Sequence, residues 1–319
     1  MKKLLLPFAL LFAQCGKYTT TNPTTLQGLH DTVISGLLIS NRSGDCLHLV
    51  NCKNVKIINS RFGPATGVGI QLDSCVNVTI KRCFFNSAST GICAIGSTGI
   101  DVDSNQIMNV YRRFFNSPHT GLNLGNDTLR YKDGGQAVQF DGVYGANNKI
   151  YNNKIENFPG VSDPEDAISI LRSSGTLLIP IVVQGNWIRG GGPSICGGGI
   201  MTGDEGGSFV IVKNNILLNP GQYGIAIAGG HDIKLLNNIV VAKKGPINNV
   251  GCYVWNQTPD HACANNTVSG NQINYINKDG VSNPNWNSGN CGSVAGWSTN
   301  NWVSRKDSTV LPVKVITCY

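Results

Sequence analysis

Four side chains able to move protons or hold charge stand out in a chain with only 13% charged residues: Asp141, Asp166, Arg172 and Asp204. Each borders a short run of alternating apolar residues. Asp141 ends Val138-Gln-Phe140-Asp, Asp166 and Arg172 bracket Ile168-Ser-Ile170-Leu, and Asp204 ends Gly199-Ile-Met-Thr-Gly-Asp. Carboxylates on neighbouring strands stand roughly 5–10 Å apart, the range in which an acid and a base or nucleophile cleave a glycosidic bond. A β-elimination would instead need a cation to neutralise a uronate carboxylate and a base for the C5 proton. Arg172, Lys132, Arg112, Arg113, Tyr131 and His119 are of the right types. The same groups also suit loop ion pairs and turn caps. Asp163, Glu165 and Asp204 have the oxygen ligands for Ca²⁺, but no calcium-loop signature surrounds them, so no cofactor is expected. Scattered histidines and the absence of Cys-x-x-Cys argue against zinc.

The elements that must position these groups form a repeat. Leu47-His-Leu-Val-Asn-Cys52-Lys-Asn-Val55-Lys-Ile57 returns 23 residues later as Ile70-Gln-Leu-Asp-Ser-Cys75-Val-Asn-Val78-Thr-Ile80. The next copy, from Ile92, follows 22 residues on. Later copies keep Asn-x-apolar at Asn153, Asn186, Asn215, Asn238 and Asn271. A period of this size means a solenoid. Apolar residues two apart (Val55/Ile57, Val78/Ile80, Ile100/Val102, Val210/Val212) specify strands. The 39 glycines and the absence of sustained helical periodicity exclude a helix bundle or coiled coil. The fold class is therefore all-β: a single right-handed parallel β-helix of about nine coils. Asn105, Asn153, Asn186, Asn215, Asn238 and Asn271 should stack as a structural ladder, in turns that need the left-handed conformation Asn tolerates.

Alternation assigns the floor of a groove. Apolar residues point inward, so Gln139, Asp141, Ser169, Leu171, Ala226, Ala228, Tyr253 and Trp255 point outward. Long excursions at 108–137, 156–167, 189–199 and 241–250 wall one side, and those at 171–181, 203–209 and 255–266 wall the other. Consecutive coils then offer consecutive subsites to a polymer. Tyr253 and Trp255 suit the apolar faces of sugar rings, and Gln139, Glu165 and Glu205 are further candidates for substrate contact.

The N-terminus carries an export signal: Met1-Lys-Lys, then ten apolar residues, Leu4–Ala13, too few to cross a bilayer. Cys15 directly after this region resembles the acylated cysteine of a bacterial lipoprotein, with Gln14 departing from the usual small residue. Residues 1–14 are expected to leave as the signal. Residues 15–25 read as a tether, and 26–319 as the β-helix, with 26–45 capping the first coil. Residues 284–319 should cover the last coil, with Val310–Ile316 as a final strand. A lipid anchor would place the protein in the outer membrane or at the cell surface, the alternative being a periplasmic or secreted protein. The net charge of +7 shows no basic cluster, so no nucleic-acid partner is expected. A monomer is expected. Of eleven cysteines, Cys52 and Cys75 should stack, as packed thiols rather than a disulfide. One bridge is expected among Cys252, Cys263 and Cys291.

The repeat, the Asn column and the loop placement resemble the pectate-lyase-like right-handed β-helix superfamily over roughly residues 30–300. Pro164-Glu-Asp-Ala-Ile-Ser-Ile, Gly190-Gly-Gly-Pro-Ser, Asn219-Pro-Gly-Gln-Tyr-Gly and Gly296-Trp-Ser-Thr-Asn are similar to secreted bacterial β-helix-repeat proteins of unassigned function. The resemblance implies polysaccharide lyases, glycoside hydrolases or uronate epimerases, alongside noncatalytic adhesins. The Gly-His-Gly and Arg-Ile-Lys motifs of polygalacturonases and the Arg-x-Pro-x-x-Arg of pectate lyases are missing, so no catalytic residue transfers. The expectation is an exported polysaccharide-active protein, a lyase slightly ahead of a hydrolase. The alternative is a noncatalytic glycan-binding or structural surface lipoprotein.

Overall fold

Valine and isoleucine at alternate positions favour extended backbone, because a branched Cβ fits a pleated, half-buried surface. No single coil can bury its own inner row, so the coils stack. The structure, a computed structural model, describes residues 18–114, 131–133, 135–191 and 197–316. The expected signal segment and Cys15 lie outside the described residues, as does His119.

Each coil supplies three strands, and each strand pairs in parallel with its counterpart one coil away. The first face runs from Thr24–Gln27 through Val138–Asp141, Tyr223–Ile227 and Val250–Val254 to Asn285–Asn287. The second runs from His30–Ser35 to Thr267–Ser269. The third is a ten-stranded sheet from Thr19–Thr20 to Gln272–Tyr275. Ten strands span nine steps of the stack, as the repeat count required. Leu47, Ile70, Ile92, Val138, Ile168, Ile200, Ile225 and Cys252 stand in register on the inner side of the first face, all buried.

The asparagine ladder is continuous and one member longer than the sequence indicated. Each Asn from Asn105 to Asn271 donates its amide to the Oδ1 of the next, and Asn300 ends the series, at 2.7–3.0 Å. Each amide also donates to a carbonyl of the preceding coil, as Asn215 does to Val183 at 3.0 Å. The left-handed residue is not the ladder Asn. It is the residue just before it: Ser104, Asn152, Gly185, Asn214, Asn237 and Gly270. The turn bends there, leaving the ladder residue free to aim its amide inward. Ser60 and Cys83 hold the same position in earlier coils, after left-handed Asn59 and Arg82.

Three boundary expectations change. Thr19–Thr20 and Thr24–Gln27 already pair within the stack, so the segment read as a tether contributes strands. Residues 30–41 form the rest of the first coil rather than a cap over it, because their alternation matches the coil above. Val310–Ile316 is not a strand. After a 3₁₀ turn at Ser308–Val310, Leu311, Val315 and Ile316 pack across Met108, Leu218 and Val241 on the outer side of the third face. The backbone N–H groups of Val315 and Ile316 donate to buried Glu156 at 3.2 and 3.1 Å, fastening this strap. The end of the stack is closed instead by Trp297 and Trp302, stacked 4.9 Å apart below Asn300.

Cys52 and Cys75 are free, buried thiols, and burial pushes the Cys75 thiol up to about 11. Cys263 and Cys291 form a disulfide. Cys252 lies in a first-face strand, its thiol in the core, and not in a loop.

Asn215→Ala should leave the Asn186 N–H and the Val183 carbonyl buried without partners. A loss of about 2–4 kcal/mol is expected, read as a lower urea midpoint for the whole stack.

Candidate active site

The outward row of the first face begins polar and ends aromatic. His48, Gln71, Cys93, Gln139, Ser169, Met201, Ala226, Tyr253 and Trp286 follow one another in register. Most of them, although directed away from the core, are buried. Trp255 and Trp286 keep 42% and 47% of their surface exposed and meet edge to face at 5.7 Å, an accessible aromatic platform.

In seven consecutive coils a small residue comes directly before the first inward side chain of the first-face strand: Gly69, Gly91, Ala137, Ala167, Gly199, Gly224 and Gly251. A side chain on Gly91, Gly199 or Gly224 would run into the third-face residues Ile107, Leu217 or Val240. This column turns the chain from the third face to the first, and alternation restarts across it. The residues just before it therefore point outward as a second floor row, which includes Gln136, Asp166 and Tyr223.

The chemistry gathers in that row. The Tyr223 hydroxyl donates to Asp166 Oδ1 across an intervening coil. Gly198 makes the reach possible, since a Cβ there would lie 2.1 Å from the Tyr223 ring. Tyr223 packs edge to face on Tyr253 at 5.3 Å, and the Tyr253 hydroxyl accepts from Gln257 at 2.8 Å. Gln136 donates to Glu165 Oε2 at 2.9 Å. Arg112, its side chain fully buried, pairs with Asp163 at 2.7 Å behind Glu165.

The carboxyls perturb one another. Burial, with the Asp204 charge adding to it and Arg112 opposing, pushes Glu165 up to about 7. Burial and then the Glu165 charge hold Asp166 well above the usual carboxylate range, partly offset by the Tyr223 hydrogen bond. Burial and neighbouring Glu205 raise Asp204. Raised carboxyls in a cleft are the groups that enzymes use to hold a proton at neutral pH.

The four principal candidates thus divide. Asp166 and Asp204 join Glu165 in the acid cluster. Asp141 and Arg172 do not. Arg172 occupies the left-handed position of the first-to-second-face turn (φ 37°), which aims it along the corner. There it bonds Asp141 one coil earlier, at 2.5 and 3.1 Å, and reaches Glu205 one coil later at 3.5 Å. Gln139 and Tyr253 line the floor and Trp255 its aromatic end, as alternation indicated. Asp163 faces Arg112 rather than joining a calcium cage, and among the described residues no three His, Cys, Asp or Glu side chains converge as metal ligands. The side chains of Arg113, Tyr131 and Lys132 lie outside the described set. A cavity of about 420 Å³, lined by Glu156, Arg189, Lys243, Lys244 and Val313, opens on the third-face side and away from the acids.

Sequence reasoning missed Tyr223, Gln136, Gly198 and Trp286. The available signal was the small residue one or two positions before each inward isoleucine or valine, where the parity of the strand resets.

A family model described as "Right handed beta helix region" matches residues 23–129 and 126–273, most of the chain. The chain belongs to the right-handed beta helix family. No curated protein matches. Among solved structures, the tailspike protein of E. coli bacteriophage HK620, in complex with a pentasaccharide, is similar at 11% identity and TM-score 0.45. That match covers 87% of this chain and 52% of the tailspike chain, so this β-helix protein spans about half the tailspike's length. An alginate lyase from Paenibacillus sp. is similar at 15% identity and TM-score 0.44, covering 88% of this chain and 91% of the lyase. PfbA, a surface adhesin of Streptococcus pneumoniae, is similar at 12% identity and TM-score 0.38, with coverages of 79% and 76%. At these identities the likeness concerns the fold.

Gly198→Ala should force the Tyr223 ring off Asp166 and destabilise this β-helix protein by about 1–3 kcal/mol. A pH titration of stability tests Glu165. Its folded pKa of about 7 lies above the usual 4.5 of a glutamate, so the folded chain holds this proton more tightly than the unfolded chain. The stability from this source is complete below about pH 4.5 and falls as pH rises towards about 7. Glu165→Gln should flatten that decline in the denaturant midpoint.

Proposed function

We propose that this β-helix protein binds a polysaccharide along its first face and hydrolyses it. The observation that carries the reading is the cluster of Glu165, Asp166 and Asp204, with pKa values raised by burial and mutual charge, beside a floor that ends in exposed aromatic rings. Glu165, poised near neutrality, would give its proton to the glycosidic oxygen as the carbon–oxygen bond breaks. Asp204, in its carboxylate form, would take a proton from the water that adds to the anomeric carbon. Gln136, which donates to Glu165 at 2.9 Å, would position that carboxyl, with Asp166 held beside it by Tyr223. Trp255 and Trp286 would support a sugar ring at the aromatic end of the floor, to one side of the break.

Elimination fits less well. Of the groups named for it, Arg172 is engaged by Asp141 and Glu205 at the corner of the face and Arg112 by Asp163, while His119 and the side chains of Arg113, Tyr131 and Lys132 lie outside the described set. The proposal extends to location: export through residues 1–14 and acylation of Cys15 would hold the groove at a membrane surface, facing external glycans.

The full chain should release reducing ends from a responsive polysaccharide without the absorbance near 235 nm (an approximate position) of an unsaturated uronate. Glu165→Gln should lower kcat by about 10²–10⁴-fold with little change in KM, because proton donation acts in the transition state. Product with strong absorbance would assign a lyase instead. Glycan retention that depends on Trp255, with no product, would reduce the assignment to a binding protein.

A further inference from the structure

Among the described residues, the floor around Glu165 is rich in hydrogen-bond acceptors and poor in donors. Gln136 is only 3% exposed and spends its amide N–H on Glu165. Its Oε1 is buried and meets no donor. Around it stand the carboxyls of Glu165, Asp166 and Asp204. The nearest hydroxyl, that of Tyr223, is already directed at Asp166. The cations along this face are engaged at its margins: Arg112 with Asp163, Arg172 with Asp141 and Glu205, and His48 with Asp73. Among the described residues this strip is acidic, inside a chain whose net charge is +7.

A buried amide oxygen without a donor costs free energy that a ligand donor would recover. An ammonium group carries three donors and no acceptor. A uronate carboxylate in the same place would set acceptor against acceptor and like charge against like charge. On the polysaccharide reading above, we infer that the groove takes a glycan containing amino sugar with a free amine, whose ammonium group docks on Gln136 Oε1 beside the carboxyl groups of Glu165 and Asp204. The exposed rings of Trp255 and Trp286 hold a neighbouring sugar, so charge selects the substrate and stacking anchors it.

Calorimetric titration of the full chain with three oligosaccharides of equal length tests this: a glucosamine oligomer, its N-acetylated counterpart and an oligogalacturonate. The glucosamine oligomer should bind about tenfold or more tightly than the acetylated one, the worth of a charge-assisted hydrogen bond, and the uronate most weakly. Gln136→Leu should bring the first two affinities together, and Gln136→Glu should widen their separation. The second variant keeps the test decisive if the first does not fold. Equal affinities for the free and acetylated amines, or tightest binding to the uronate, would overturn the amino-sugar inference and leave the glycan groove standing. Binding of none of the three would count against the groove itself.

Discussion

Stacking parallel coils at the interstrand spacing buries the backbone of every corner, where no ladder bond from the sheet can reach all of the polar groups. The column from Asn105 to Asn300 answers that constraint. Each side-chain amide accepts from the backbone and amide of the preceding coil and donates to one of its carbonyls. Because every member needs its neighbour, the column sets one vertical register for all three faces. The floor of the groove inherits that register: residues four coils apart remain in line only because the corners beneath them are locked.

The same corner geometry decides what reaches the groove. A turn residue in the left-handed conformation points along the edge of the prism, which is where Arg172 lies, and so it meets Asp141 and Glu205 instead of substrate. At the opposite edge the small column from Gly69 to Gly251 lets the chain pass close over the third-face core. This close passage turns Asp166 and Tyr223 outward. Burial then raises the carboxyls, and the missing side chain of Gly198 lets Tyr223 lean back to Asp166. Fold and chemistry thus share a cause: short-range packing at two corners partitions one set of charged residues into a salt-bridged rim and a floor of carboxyls raised above their usual range.

Much of this was legible in the chain. The 22–23-residue recurrence from Leu47 to Ile92, the paired apolar positions and the recurring Asn revealed the architecture, the number of coils and the direction of Gln139, Ser169 and Tyr253. Asp166, Glu165 and Asp204 were identifiable as charges in a chain with few. Tyr223 was not, since strict alternation back from Ile225 would turn it inward. Alternation is a property of a straight strand, and it fails where the backbone bends. The strap from Leu311 to Ile316 was misread for a related reason. Its apolar residues are as well suited to lying across a finished sheet as to forming one.

The amino-acid sequence by itself therefore determined the period, the strand chemistry, the inward rows and the ladder, because these depend on neighbours two residues or one coil away. Tertiary structure alone decided which acids meet, which cation is withdrawn to the rim, and which carboxyls are raised above their usual range. Those outcomes depend on desolvation and on distances between side chains in different coils. Loop insertions of unequal length place such side chains at no fixed separation along the chain.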